Sequence, residues 1–355
     1  MITVLAPYNH SEITAAAIRL AEHVLASGLA FKYIATSTPR TGVHPKWDKR
    51  VVWRSRTNAV LRAANTSSTI VHFGYSPTLL DEATLFGTNE KRVKQVLVPL
   101  WHQSYRGGSD RMMRFDQIVC TSRSHKQSLE KHLGYGKPKH NSIVTWCTWD
   151  SGKLAVRRTK DVDAGRVRAL IYCDAGAVDY CGASIVSMFS YLLMRQPKLD
   201  VTLVHTKSWN KCDKKLLQLT QRTIPAKRLS VVRLSSFNTL STLLSTHDWA
   251  VLPGVRSSFG LAAATALACG TPVICNDINP FHEIVTEHNG VLVPCAVAET
   301  RTKAPVAVPQ SAAWHTVCCN TLLTSDKLVE LRNNDWKADE LRTAFNRVWD
   351  RVLVA

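Results

Sequence analysis

Short apolar runs alternate along this chain with segments whose apolar residues recur every three or four positions. The first run is "ITVLAP"; after the polar "YNHSE", Ile13, Ala17, Leu20, Ala21, Val24 and Leu25 keep helical spacing up to Gly28, which predicts strand, loop and helix. "FKYIAT", "STIVHFG", "KQVLVPLW" and "DQIVCTS" follow as further strands, and "SRSHKQSLEKHLG" as a helix. Residues 150–166 are polar and basic without a period, which predicts a linker. The alternation then restarts: "VRALIYCDAG" (strand), "ASIVSMFSYLLMRQ" (helix), "LDVTLVHT" (strand), "KKLLQLTQRTI" (helix), "LSVVRLS" (strand), "NTLSTLLSTH" (helix) and "DWAVLPG" (strand). Two such arrays in tandem predict an α/β protein of two Rossmann-like, doubly wound domains with a cleft between them. "PCAVAETRTKAPVAVPQSAAW" reads as a looser segment, and "ADELRTAFNRVWDRVLV" as a terminal helix.

Composition narrows the class. A chain of 355 residues exceeds what one core usually supports, and 45% hydrophobic with 20% charged residues is globular, far from the disordered range. Ten cysteines show no metal-ligand spacing and read as reduced core thiols of a cytoplasmic protein. No secretory leader and no run of about 18 apolar residues is visible. The formal charge is +18, with twenty Lys and Arg against ten Asp and Glu among residues 1–150. Such an excess concentrates polyanions: nucleic acid, anionic lipid headgroups or phosphorylated sugars.

The most informative stretch is also the blandest. "SSFGLAAATALACGTPVICN" carries no charge, follows the strand "DWAVLPG", turns at Phe259 and Gly260, and continues as an alanine-rich helix that stops at Gly270. A Phe-Gly turn lets backbone approach a diphosphate, whose charge the free N–H groups and the dipole of the helix favour, and Ala262, Ala263 and Ala264 keep that approach open. Close packing of the helix on a sheet needs the same alanines. Together with "HEIVTEHNGVLV", this stretch resembles the donor-lobe signature of the retaining group 1 glycosyltransferases, of GT-B fold. The likeness is close over about forty residues and extends loosely over most of the chain.

The resemblance implies an acceptor-binding domain over 1–160, a nucleotide-sugar donor domain over 161–335, and a helix over 336–355 that packs back on the first. It implies a cosubstrate such as a UDP-sugar and no metal. Donor-binding positions are then His10, Gly176, Lys207, Arg256, Ser258, Phe259, Gly260, Leu261 and Thr265, and catalytic positions are His102 and Ser257. Lys211 is a further cation on a loop after a strand. The chain departs from the pattern at several places: Ser258 replaces a glycine, "HSE" stands for the glycine pair after the first strand, and the Arg and Lys that clamp the diphosphate have no clear match in "YCDAGAVDYCGAS". Ser257 and Thr265 stand where the family carries glutamates, and a hydroxyl makes a weaker contact with a ribose than the roughly 1.5–3 kcal/mol of a charge-assisted bond.

The acceptor is read from charge. Arg40, Lys46, Lys49, Arg50, Arg54, Arg56 and Arg62 interleave with Trp47 and Trp53, and Tyr105 with Arg106 opens a second cluster that includes Arg111 and Arg114. Cations track phosphates while indoles stack on bases. Three readings stand: transfer of a hexose or pentose to hydroxymethylated pyrimidines in DNA, as in bacteriophages and hence in host cytoplasm, with the base flipped out; a peripheral enzyme of lipopolysaccharide or phospholipid glycoside synthesis on an anionic membrane surface; or a catalytically silent GT-B-like module that binds nucleic acid.

Overall fold

Strand β1 (Ile2–Ala6) is buried at all five positions, as a parallel strand covered by helices on both faces must be. The computed structural model describes residues 1–6, 12–35, 51–53, 66–74, 93–100, 112, 115–133, 143–146, 165–173, 175–206, 211–234, 237–255, 257–299, 305–308, 310–322, 331 and 338–354. They fall into two units, one from Met1–Asp150 with Asp339–Ala355, the other from Ser151–Thr300 with Pro305–Ala338.

In the first unit β1 leads into α1 (Glu12–Ala26) and β2 (Phe31–Ala35). β3 (Val51–Trp53), β4 (Thr69–Phe73), β5 (Lys94–Val98), β6 (Gln117–Cys120), α2 (Arg123–Leu133) and β7 (Ile143–Trp146) follow. The sheet order is β3-β2-β1-β4-β5-β6-β7, and every pairing is parallel. Ala15, Ala16, Ala17, Leu20, Ala21 and Val24 form the buried face of α1. Ser122 caps α2, its Oγ accepting the His125 N–H at 3.0 Å.

The second unit begins with β8 (Val167–Cys173), α3 (Ala175–Arg195), β9 (Leu199–His205), α4 (Lys211–Thr223) and β10 (Leu229–Arg233). α5 (Phe237–Leu244), β11 (Trp249–Leu252), α6 (Leu261–Ala268), β12 (Val273–Asn276), α7 (Phe281–Ile284) and β13 (Gly290–Val293) complete a parallel sheet of order β10-β9-β8-β11-β12-β13. Burial follows position: β11 and β12, inside the sheet, are buried throughout, whereas β10 at the edge is half exposed. Phe189, Leu192, Leu203, Trp249 and Ile274 centre the core, each such side chain contributing about 1.5–3 kcal/mol by burial. The Arg228 guanidinium donates to the carbonyls of Leu193 (2.8 Å), Leu199 (3.0 Å) and Gln196, which closes the C-terminus of α3.

The chain ends with α8 (Ser311–Leu322) and α9 (Ala338–Val354). α9 lies against α1 in the first unit: Arg19 covers the Phe345 ring at 4.4 Å and its Nη2 donates to Asn346 Oδ1 at 3.4 Å. His23 Nε2 stands 3.0 Å from Asp350 Oδ1, and Lys94 Nζ donates to the Val352 carbonyl at 2.8 Å. No helix among the described residues is long and apolar enough to cross a membrane.

Three segments differ from the sequence reading. α3 starts at Ala175, several residues before the apolar period begins, so "AGAVDYCG" is helical. Its glycines cost about 1 kcal/mol each against alanine, a penalty that the packing of Ile185, Val186, Phe189 and Leu193 outweighs. The segment read as loose contains an antiparallel hairpin, β14 (Ala296–Glu299) and β15 (Pro305–Val308). Trp53, counted among cationic acceptor contacts, belongs to edge strand β3. Short edge strands carry little periodicity, which is why they escape the pattern.

Candidate functional site

In the second sheet the strand order reverses between β8 and β11, the place where open α/β sheets bind ligands beyond their carboxyl ends. The chain leaves β11 at Leu252 and enters α6 at Leu261, so residues 253–255 and 257–260 border that crevice. Gly176, in the first turn of α3, follows β8 on the same edge.

The loop is held at three points. Asn276 closes β12, is fully buried, and donates from Nδ2 to the Gly254 carbonyl at 2.9 Å and toward that of Pro253 at 3.4 Å. Ala307 of β15 donates its N–H to the Val255 carbonyl at 3.0 Å. The Gly260 N–H donates to Ser257 Oγ at 2.8 Å, so the hydroxyl of this predicted catalytic residue is engaged in shaping the turn. Gly260 itself has φ 63°, and a Cβ there would run into Ile284 Cδ1 of α7 and lie close to Pro280. Glycine is thus demanded twice, by the left-handed backbone and by packing.

α6 is apolar on every side, and Leu261, Ala262, Ala263, Ala264, Thr265, Ala266 and Leu267 are all buried. Its first rung is Ala264 N–H to Gly260 O at 3.0 Å, so the N–H groups of Ala262 and Ala263 precede the ladder at the positive end of the helix dipole. Phe259 and Leu261 are wholly buried, so their side chains serve the core and only their backbone can face a ligand. Ser258 is half-buried. Thr265 is fully buried and its Oγ1 has no hydrogen-bond partner among the described residues, which costs about 1–3 kcal/mol unless something else satisfies it.

Nearby thiols are disfavoured as thiolates. Burial, with Asp277 and Cys295 adding to it, raises the Cys275 thiol well above its ordinary range, and burial with Asp277 raises that of Cys295. The seven described cysteines, Cys120, Cys173, Cys269, Cys275, Cys295, Cys318 and Cys319, carry free thiols. Among the described residues no group of three or more His, Cys, Asp or Glu is placed to hold a metal ion.

The fold therefore brings together Ser257, Ser258, Phe259, Gly260, Leu261 and Thr265, with Gly176 on the same sheet edge. His10, His102, Lys207 and Arg256 lie outside the described residues, as do Arg40, Lys46, Trp47, Lys49, Arg50, Arg54, Arg56, Tyr105 and Arg106; the side chains of Trp53 and Lys211 do too. Sequence reasoning missed Asn276 and Trp314, whose Nε1 donates to Asn276 Oδ1 at 2.8 Å. The available signal was a polar residue closing the apolar run "PVICN"; nothing local ties it to a tryptophan in the next helix but one.

Residues 192–304 match the family model described as "Glycosyl transferases group 1". A GDP-mannose-dependent alpha-(1-6)-phosphatidylinositol dimannoside mannosyltransferase of Mycobacterium tuberculosis (strain ATCC 25177 / H37Ra) is 37% identical over 71 residues. That match takes in 20% of this chain and 17% of the mannosyltransferase, so it spans only about a sixth of the relative's length. Two solved structures extend over the whole chain. The Anabaena protein HepE, in complex with UDP-glucose, matches with TM-score 0.70 at 11% identity, covering 100% of both chains. A sucrose-phosphate synthase from Thermosynechococcus elongatus matches with TM-score 0.69 at 14% identity, covering 99% of this chain and 96% of its own. At these identities the likeness concerns the fold, which is GT-B.

Proposed function

We propose that this chain is a nucleotide-sugar-dependent glycosyltransferase whose donor diphosphate sits at the N-terminus of α6. The observation that carries this reading is the pre-shaped loop of residues 253–255 and 257–260, leading into a buried helix whose Thr265 hydroxyl has no partner among the described residues. An orphan buried hydroxyl is stable where a ligand completes it, and a helix terminus is suited to the charge of a diphosphate. As the glycosidic bond breaks, negative charge grows on that diphosphate, and donors already aimed at it stabilise the leaving group without reorganisation. Transfer is retaining and needs no metal, because backbone N–H groups and cations such as Arg256 supply the countercharge.

The acceptor is an anionic glycolipid bound through the cationic residues of 1–160. The charge excess of that region and the phosphatidylinositol dimannoside named for the mycobacterial relative support this choice. Hydroxymethylated DNA is the second reading, favoured by Trp47 and Trp53 among the cations of 40–62.

Titration calorimetry with UDP and GDP tests the donor site, and binding of at least one that persists in EDTA is expected. Mass spectrometry of acceptors after incubation with a panel of nucleotide sugars then separates the readings. Mass added to phosphoinositide-glycoside vesicles supports the first, and mass added to modified DNA the second. Nucleotide binding without transfer to any acceptor returns the chain to a silent module. Arg54→Ala with Arg56→Ala should weaken retention on the acceptor severalfold and flatten its salt dependence.

A further inference from the structure

Asn276 and Trp314 form a buried relay that ends at the candidate donor loop. Trp314 lies on α8, is 4% exposed, and its Nε1 donates to Asn276 Oδ1 at 2.8 Å; Asn276, 0% exposed, spends its amide on the carbonyls of Gly254 and Pro253. Both ends of the amide are thus committed, and the assignment of its oxygen and nitrogen follows from the partners: an indole N–H can only donate, and carbonyls can only accept. A core strand end does not require an asparagine. Valine would fit an apolar run, yet this position carries an amide, which accepts the indole hydrogen bond through its oxygen and donates two to the loop through its nitrogen. The loop so held is the segment that runs through Val255 and Ser257 into the Gly260 turn, so its backbone height over the sheet is set from behind.

We propose that Asn276 is a positioning residue for nucleoside diphosphate binding, oriented by Trp314, and that it acts through the Pro253–Gly254 backbone rather than by touching the ligand. The inference rests on the donor-site reading above. Its chemical logic is preorganisation: helix-terminal N–H groups bind an anion well only when the preceding loop keeps them aimed, and a loop freed from its anchor must be ordered at the expense of affinity.

Three variants of the full chain separate positioning from plain stability. Asn276→Asp keeps the acceptor for Trp314 but turns a carboxylate oxygen toward two carbonyls. Trp314→Phe keeps an aromatic ring but removes the pyrrole half of the indole with its N–H donor. Thr271→Val removes another buried hydrogen bond of the same unit, from Thr271 Oγ1 to the Leu244 carbonyl at 2.8 Å, away from the loop. The probes are UDP and GDP by calorimetry, with hydrogen exchange of peptides covering 253–260 in the absence of nucleotide. Asn276→Asp is expected to raise Kd about tenfold or more and Trp314→Phe about threefold, with faster exchange across 253–260 in both. Thr271→Val should lower Tm while leaving Kd and loop exchange as in the wild type. Should Asn276→Asp fail to fold, Trp314→Phe alone still decides. Wild-type Kd and wild-type loop exchange in Trp314→Phe overturn the proposal. Loss of affinity in Thr271→Val equal to that in Trp314→Phe overturns it as well. A wild-type chain that binds neither nucleotide overturns the donor reading itself, whatever the exchange data show.

Discussion

The two units share a strand order and a device at the amino edge of their sheets, yet they differ in how many imidazoles they bury. In the first, Asp116 donates its N–H to the Gln95 carbonyl at 2.9 Å and accepts the Gln95 N–H on Oδ2 at 2.7 Å. In the second, Asp248 does the same with Arg168, at 2.7 Å in each direction. A carboxylate just before a strand thus pairs with the start of its neighbour in both. Away from this edge the units diverge. The first buries three imidazoles, His23 at 6%, His72 at 3% and His125 at 6% exposure; the second buries one, His247 at 8%, beside Asp248, Thr265, Thr271 and Asn276, all at 0%. Carboxylates, amides and hydroxyls do not change charge near neutrality, while an imidazole does. The first unit therefore carries more buried groups that answer to mild acid, while Thr265 and Asn276, the buried polar side chains around the loop of the second, keep their charge state there.

Acidification is expected to break the symmetry most strongly. Burial pushes His72 and His125 down from 6.5 to about 4, against only a hydrogen bond to Gln95 in the case of His72, and burial also lowers His23 despite Asp350. All three are neutral in the folded chain at a pH where the unfolded chain has begun to bind protons. Stability is therefore complete above pH 6.5 and falls as pH drops from 6.5 toward 4, each of the two deeper imidazoles costing about 3 kcal/mol at the acid end. Hydrogen exchange between pH 7 and 5, corrected for intrinsic rates, should show β4 and β5 loosening before β8 and β11. Equal loosening of both sheets would contradict the contrast.

Next in size is a pair of glycines with the same backbone and different surroundings. Gly260 and Gly28 have φ of 63° and 70°, but a Cβ at Gly28 meets nothing within 4 Å while one at Gly260 meets Ile284 and Pro280. Gly260→Ala should destabilise by about 2–5 kcal/mol, strain and overpacking together, and abolish nucleotide binding, and Gly28→Ala by about 1 kcal/mol. Denaturant melts of both variants measure the gap. The smallest effect sharpens the shared feature: Asp248→Ala, at a fully buried carboxylate, should cost about 1.5–3 kcal/mol, and Asp116→Ala, half-buried, about half as much.

Much of this architecture was visible in the residues. The apolar runs that became β1, β2, β4, β5, β6, β8 and β11 were plain because strands covered on both faces must be continuously apolar, and α9 because its period is long. The Phe259–Gly260 turn was equally plain, since a left-handed residue before a small-residue helix leaves its mark in a few adjacent letters. Ser257 was less so: its sequence position suggested chemistry, and its hydroxyl accepts the Gly260 N–H. β3, β7 and the β14–β15 hairpin were invisible, each being too short to display a period.

The residues alone settle where chain segments are helical or extended and which faces turn inward, because those preferences act over a few neighbouring positions. They do not settle which distant groups meet. Asn276 and Trp314 are 38 residues apart, and Asp248 and the Arg168 N–H are 80 apart. Such partners are chosen by strand order and crossover, through non-local packing that no short window of letters contains. The folded arrangement alone therefore decides which buried amide holds the loop and which buried hydroxyl has no partner among the described residues.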